Sequence, residues 1–336
     1  VAVGNDAGKA VTTGTSNTLV GGLTGDALTV GVDNTALGTV ALTTDTKGSR
    51  SVAIGRGTLG AQNFTSATNT YNTAVGYDAG AAVTTGIQNT LIGGLAGDAL
   101  TDADQNVAVG YLALTTDTLG SKSTAIGFNA LADQNFTTAT DSYNTAVGNN
   151  AGGATTTGSK NTLIGGLAGD ANTVGTDIVA VGYQALTTFN RTSGASKVVG
   201  IGNSAFHSLT TGTQNTAVGH EAGYAQTDTN NSAFFGYRAG YQVTTGTRNV
   251  LIGALAGDAL SDADDNTALG DNALGTDTLG SRSTAVGQGA LFAQNFTTAT
   301  NSNNTAVGYN AGVAITTGEN NTTVGANANA VTTTGV

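Results

Sequence analysis

A five-residue unit, Asn-Thr-Ala-Val-Gly or a close variant, recurs along the whole chain at a nearly fixed spacing. A chain written that way repeats one local shape, so the repeat decides the fold before anything else does. NTAVG stands at Asn72, Asn144, Asn215 and Asn304. NTLVG or NTLIG stands at Asn17, Asn89 and Asn161, and NVLIG at Asn249. Ser replaces Asn in SVAIG at Ser51, STAIG at Ser123 and STAVG at Ser283. Taking the residue two before each glycine as an anchor gives Ala2, Leu19, Ala36, Ala53, Ala74, Leu91, Ala108, Ala125, Ala146, Leu163, Ala180, Gly200, Ala217, Phe234, Leu251, Ala268, Ala285, Ala306 and Thr323. The steps run 17, 17, 17, 21 and again 17, 17, 17, 21, so four coils make a super-repeat of 72 residues. A disturbed stretch between Leu163 and Leu251 carries one extra coil, and 17, 17, 21, 17 closes the series.

Seventeen residues suit one turn of a β-solenoid, with short strands and tight corners. In Thr-Ala-Val-Gly the side chains alternate, so Thr and Val share one face and Ala and Gly the other. Thr and Val favour pleated backbone, and Gly every few residues disfavours helix. The TTG segments, such as Thr84-Thr85-Gly86, read as corners where Gly takes positive φ. Asn at the strand start hydrogen-bonds local backbone or stacks in a ladder. Composition agrees: with 51 Gly, no Pro, Cys, Met or Trp, and 5% aromatic residues, the chain has little with which to fill a deep core. Its 39% hydrophobic content argues against disorder. The expected fold is therefore all-β: a parallel β-solenoid of about 19 coils of 17–21 residues, one repetitive domain over 1–336 with an irregular insertion near 178–250. At about 4.8 Å per coil such a rod is roughly 90 Å long. Val1 enters in mid-motif and Val336 falls inside a corner, which reads as a processed product or an excerpt of something longer, its bare ends covered by more chain or by another subunit.

Charges supply an internal check on register. The residue three before each anchor runs Asp33 then Arg50; Lys160, Asp177, Lys197; and Arg248, Asp265, Arg282. Opposite signs adjoin and like signs never do, as in-register parallel stacking requires.

NTAVG, SVAIG and STAIG resemble the head repeats of trimeric autotransporter adhesins of the YadA-like β-roll type. The longer unit NTAVGYDAGAAVTTGIQ, from Asn72 to Gln88, is similar to repeats in phage tail fibres. The resemblance implies a left-handed, homotrimeric parallel β-roll that projects from a virion or cell surface and meets a host glycan or protein receptor. The chain then reads as an extracellular structural or adhesive fibre segment. Two alternatives stand beside it. One is a self-assembling extracellular filament joined end to end. The other is an ice-binding solenoid, with ranks of Thr18, Thr35, Thr73 and Thr90 matched to a lattice.

Candidate sites are few. The longest coils place Phe64, Phe136 and Phe296 at one offset, either as receptor contacts aligned along one side or as plugs folded over their own loops. Asn63, Asn135, Asn190 and Asn295 form N-glycosylation sequons ten residues after their anchors. Asp26, Asp98, Asp170 and Asp258 end Gly-rich segments near the calcium β-roll consensus but off by one residue, so corner caps are the first expectation and calcium the second. Tyr77, Tyr111, Phe128, Tyr183, Tyr237 and Tyr309 follow the motif glycine and suit strand-face cover or subunit contacts. The two histidines, His207 and His220, have no partners at metal or triad spacing. No carboxylate pair or phosphate loop stands out, so no enzyme activity, catalytic residue, metal or cofactor is expected. A net charge of −11 without a basic stripe argues against nucleic acid, and no apolar run approaches the roughly 18 residues of a spanning helix, so membrane insertion is not expected.

Overall fold

The computed structural model describes residues 1–192 and 194–329; the corner expected to end at Val336 lies outside them. Among the described residues there is no helix, only short strands. They form two compact units, Val1–Leu167 with Asn172–Gly175, and Ala168–Ala171 with the chain from Thr176 onward. Each unit is a parallel β-solenoid.

In the first unit ten strands centred on the anchors, from Ala2–Val3 to Thr162–Ile164, pair in sequence order. In the second unit nine do so, from Thr176–Val181 to Thr322–Val324. Anchor meets anchor: Ala74 pairs with Leu91 and Leu91 with Ala108. The long coils keep that register, since Ala53 pairs with Ala74 across a step of 21. Their extra residues fold into small second ladders, Gly48–Ser49 against Thr68–Asn69, Gly120–Ser121 against Thr140–Asp141, and Gly280–Ser281 against Thr300–Asn301.

The 72-residue period has a packing cause. Six residues after the anchor stands Leu in two successive coils and Gly in the next two, as in Leu42, Leu59, Gly80 and Gly97. A Cβ on Gly80 would lie 2.7 Å from Leu91 and 3.0 Å from Leu59, so the glycine is the hole into which two leucines from adjacent coils project. Leu replaces Ala at the anchor only beside these glycines, as at Leu91. Large and small residues thus interlock through a core one side chain deep.

The corners rest on left-handed backbone. The residue three before the anchor has φ near +60°, as at Arg50, Gln88 and Asp265. The motif glycine lies in a region open only to glycine, with φ 139° at Gly93 and 137° at Gly110. The TTG glycine differs from expectation: Gly86 has no positive φ, and its role is closeness, since a Cβ there would sit 2.4 Å from the Ala103 carbonyl oxygen.

A buried polar spine runs beside the apolar one. Asn89 Nδ2 donates to the Ala103 carbonyl at 2.7 Å, and its Oδ1 accepts the Asn106 N–H at 2.9 Å. The same two bonds recur at Asn34, Asn72, Asn106, Asn144 and Asn266. Where Ser51, Ser123 and Ser283 replace Asn, a glutamine fills the space. Gln134 donates to Asp117 at 2.5 Å and to Ser123 at 2.8 Å, and its Oε1 accepts from Asn144 at 2.8 Å. Gln62 and Gln294 repeat this with Asp45 and Asp277. In the disturbed stretch the set changes together: Ile178 and Val198 stand for Asn and Ser, Phe189 and Leu209 for Asp and Gln, all fully buried. Removing the whole network leaves fewer orphaned groups than removing one member would.

Candidate functional site

Except at Ala2, which is exposed, each coil turns its anchor inward and leaves both neighbours outside. The residue after the anchor is branched and apolar along nearly the whole series, and it is 36–47% exposed at Leu37, Ile92, Ile126 and Ile164 in the first unit and at Ile252 and Leu269 in the second. The residue before it gives a rank of Thr and Val. Thr18 and Thr35 are exposed, Thr73 and Thr90 half-buried, and Val52 and Val107 interrupt the threonines. Three residues past the anchor come the exposed rings of Tyr77, Tyr111, Phe128, Tyr183, Tyr237 and Tyr309. Several of these rings lean on the neighbouring coil. Tyr111 covers Gly94, whose Cβ would meet it at 3.3 Å, and stacks on Phe128 at 6.0 Å. The Arg56 guanidinium lies 5.4 Å from the Tyr77 ring, and His220 stacks on Tyr237. Each unit therefore carries an outward face with one nearly continuous apolar rank, a rank of Thr and Val before it and aromatic rings on some of the coils.

At the charged corner two of the expected neighbours pair within their unit, Asp33 with Arg50 and Arg248 with Asp265. Among the described residues Asp177 and Lys197, where the register shifts between Thr176 and Ile178, form no ion pair, and neither do Asp265 and Arg282. Asp33 and Arg50 approach to 3.8 Å, and Arg248 grips Asp265 through two nitrogens at 2.6 and 3.1 Å. The hydrogen bond from Arg248 holds the Asp265 carboxyl below its ordinary range. Lys122 donates to Asp141 at 2.5 Å and sits 5.3 Å from the Tyr143 ring centre. These pairs stand in solvent, where water and salt screen them, so they set register more than stability.

The long loops differ from the receptor-contact expectation. Phe64, Phe136 and Phe296 are only 5–7% exposed. Phe136 and Phe296 pack where a Cβ on Gly120 or Gly280 would come within 2.8 Å, and their N–H groups bond the buried Asp117 and Asp277. Burying the ring removes apolar area from water, so these residues are plugs, and the exposed crests are the small residues 65–67, 137–139 and 297–299. Of the sequon asparagines, Asn63, Asn190 and Asn295 are exposed and Asn135 is half-buried. Asn63, Asn135 and Asn295 each accept a threonine hydroxyl from the coil before.

The aspartates of the Gly-rich segments tie coils together. Thr43, Thr115 and Thr187 donate to Asp26, Asp98 and Asp170 at 2.5–2.6 Å. Asp258 has Gly275 at the equivalent place in the next coil and lacks that hydroxyl. Among the described residues no group of three or more His, Cys, Asp or Glu is placed to hold a metal. Burial is the main cause that pushes the Asp98 carboxyl up, outweighing the Thr115 bond. A raised folded pKa favours the protonated form, so Asp98 adds stability as pH falls through that pKa and costs stability when ionised at pH 7. Asp98→Asn keeps an acceptor for Thr115 and removes the charge. We expect its melting temperature to exceed wild type at pH 7, and the gap to close below the ordinary aspartate pKa of about 4, as read by thermal melts on both sides of that value.

Sequence reasoning overlooked Asp117, Gln134 and their equivalents, although the pair recurs 72 residues apart. It also overlooked a ladder in the second unit, where His207 stacks on Tyr224 at 4.7 Å and Tyr224 on Tyr241 at 5.2 Å. The 17-residue spacing of those three rings was the available signal. No helix among the described residues is long and apolar enough to cross a membrane. Comparison with protein-family models, curated proteins and solved structures gave no match.

Proposed function

We propose that the chain is a structural and adhesive fibre segment: a left-handed β-roll that associates as a homotrimer at a virion or cell surface and presents its loop crests to a host glycan or protein receptor. The supporting observation is the outward apolar face. Soluble monomers rarely leave long contiguous apolar ranks in water. Here Val, Ile or Leu recurs on nearly every coil, flanked on some coils by Tyr or Phe. Identical copies carry identical faces, so closed rotational symmetry covers them all at once. Covering this face with two further copies removes the ranks from water and leaves the loop crests free. The threonine rank is broken by Val52 and Val107, which gives an ice lattice a poorer match.

Sedimentation velocity at micromolar concentration tests the reading. The expected species has three times the 32.8 kDa chain mass. Ile92→Lys with Ile126→Lys and Ile164→Lys should give a monomer with an unchanged far-ultraviolet spectrum, because these side chains lie outside the core. A wild-type monomer overturns the reading.

A further inference from the structure

We infer that Tyr224 and Tyr241 form a site of oxidative cross-linking, a dityrosine that staples two neighbouring coils of the second unit. Their rings are 5.2 Å apart between centres and inclined by 20°. The coils that carry them are fixed in register on both sides: Ala217 pairs with Phe234, and the Ala225 N–H donates to the Tyr241 carbonyl at 3.0 Å. Both rings are half-buried, so an oxidant reaches them while the backbone holds them together. Among the described residues this is the only tyrosine–tyrosine ring contact; the other ring contacts pair tyrosine with Phe or His, or Phe with Phe. The position also has a structural logic. The ladder stands where the asparagine spine is interrupted by Ile178, Val198 and Ser232, and where Ser196 Oγ and Gln226 Oε1 are buried without a partner. Between the two stapled coils Asn215 Oδ1 still accepts the Ser232 N–H at 2.9 Å, so a covalent link closing a 17-residue loop would add to a register that is already held.

The oxidant is hydrogen peroxide acting through a haem peroxidase. Each phenol gives up one electron and its hydroxyl proton, leaving two phenoxyl radicals. The radicals join through the ring carbons ortho to oxygen, forming one carbon–carbon bond. The hydrogens on those two carbons move to the oxygens and restore both phenols. The peroxide takes the two electrons and two protons and leaves as two waters.

The test treats the purified chain with a haem peroxidase and hydrogen peroxide, then isolates the single-chain band from a denaturing gel. The expected result is dityrosine fluorescence in that band and a tryptic species joining residues 198–238 to 239–248, lighter than the sum of its parts by two hydrogens, with fragmentation placing the bond at Tyr224 and Tyr241. Tyr224→Phe and Tyr241→Phe keep the stacked rings, and each should abolish the link without changing the far-ultraviolet spectrum. Tyr237→Phe should leave it intact. A single-chain band without that species, a bond mapped to Tyr237, or a link that survives Tyr241→Phe overturns the inference. Cross-links confined to multi-chain bands, from exposed tyrosines such as Tyr77 and Tyr309, overturn it as well.

Discussion

Gly110→Ala is expected to destabilise the first unit by at least about 3 kcal/mol, because one methyl group meets two obstacles at once. The backbone at Gly110 has φ 137°, where an L side chain is strained. The added Cβ would also lie 2.4 Å from the carbonyl oxygen of Gly127 in the next coil and 2.6 Å from its carbon. That obstacle is the stacked backbone, so relief requires two coils to separate. In a repeat protein the loss is felt by neighbouring interfaces, and hydrogen exchange should show the coils around Leu91, Ala108 and Ala125 opening first. Gly22→Ala is the internal control. Gly22 has no positive φ and nothing within 4 Å of its added Cβ, so it should stay within about 0.5 kcal/mol of wild type. Equal effects in the two variants would refute the close-stacking account.

The second large effect is expected from a nearly isosteric change. Asp117→Asn should cost about 2–3 kcal/mol in equilibrium denaturation, because the site accepts only an acceptor. Asp117 Oδ1 takes the N–H groups of Gly120 at 3.1 Å and Phe136 at 3.0 Å, and Oδ2 takes Gln134 Nε2 at 2.5 Å. Gln134 is locked in that sense, since its Oε1 accepts from Asn144, whose own Oδ1 accepts the Asn161 N–H. An amide at position 117 turns two donors toward each other in a fully buried site. A cost below about 0.5 kcal/mol for Asp117→Asn would mean that the network is not fixed in direction.

Much of the fold was legible because its cause is local. Alternation in Thr-Ala-Val-Gly places Ala74 inside and Val75 outside, and the 17-residue step places Asp265 beside Arg248. The longer period was visible as a number but not as a mechanism. Its cause lies in contacts between coils, in Gly80 receiving Leu59 and Leu91 and in Gln134 spanning Asp117, Ser123 and Asn144. Such complementarity depends on depth within the coil, which a linear pattern does not carry. The same gap explains Phe136, an aromatic in a polar loop that sequence leaves open to either side and packing places against Gly120. Gly86 was recognised as a corner residue for the wrong reason, since closeness to Ala103 leaves no trace in local sequence.

Spin-label distances within the first unit test the central claim most directly, and the chain has no cysteine to remove first. Nitroxides on cysteines placed at Thr18 and Thr90 are four coils apart, and those at Thr18 and Thr145 seven. Stacking in register predicts separations of about 19 Å and about 34 Å, growing by about 4.8 Å for every coil added. A Thr18–Thr145 distance no longer than the Thr18–Thr90 distance would contradict it.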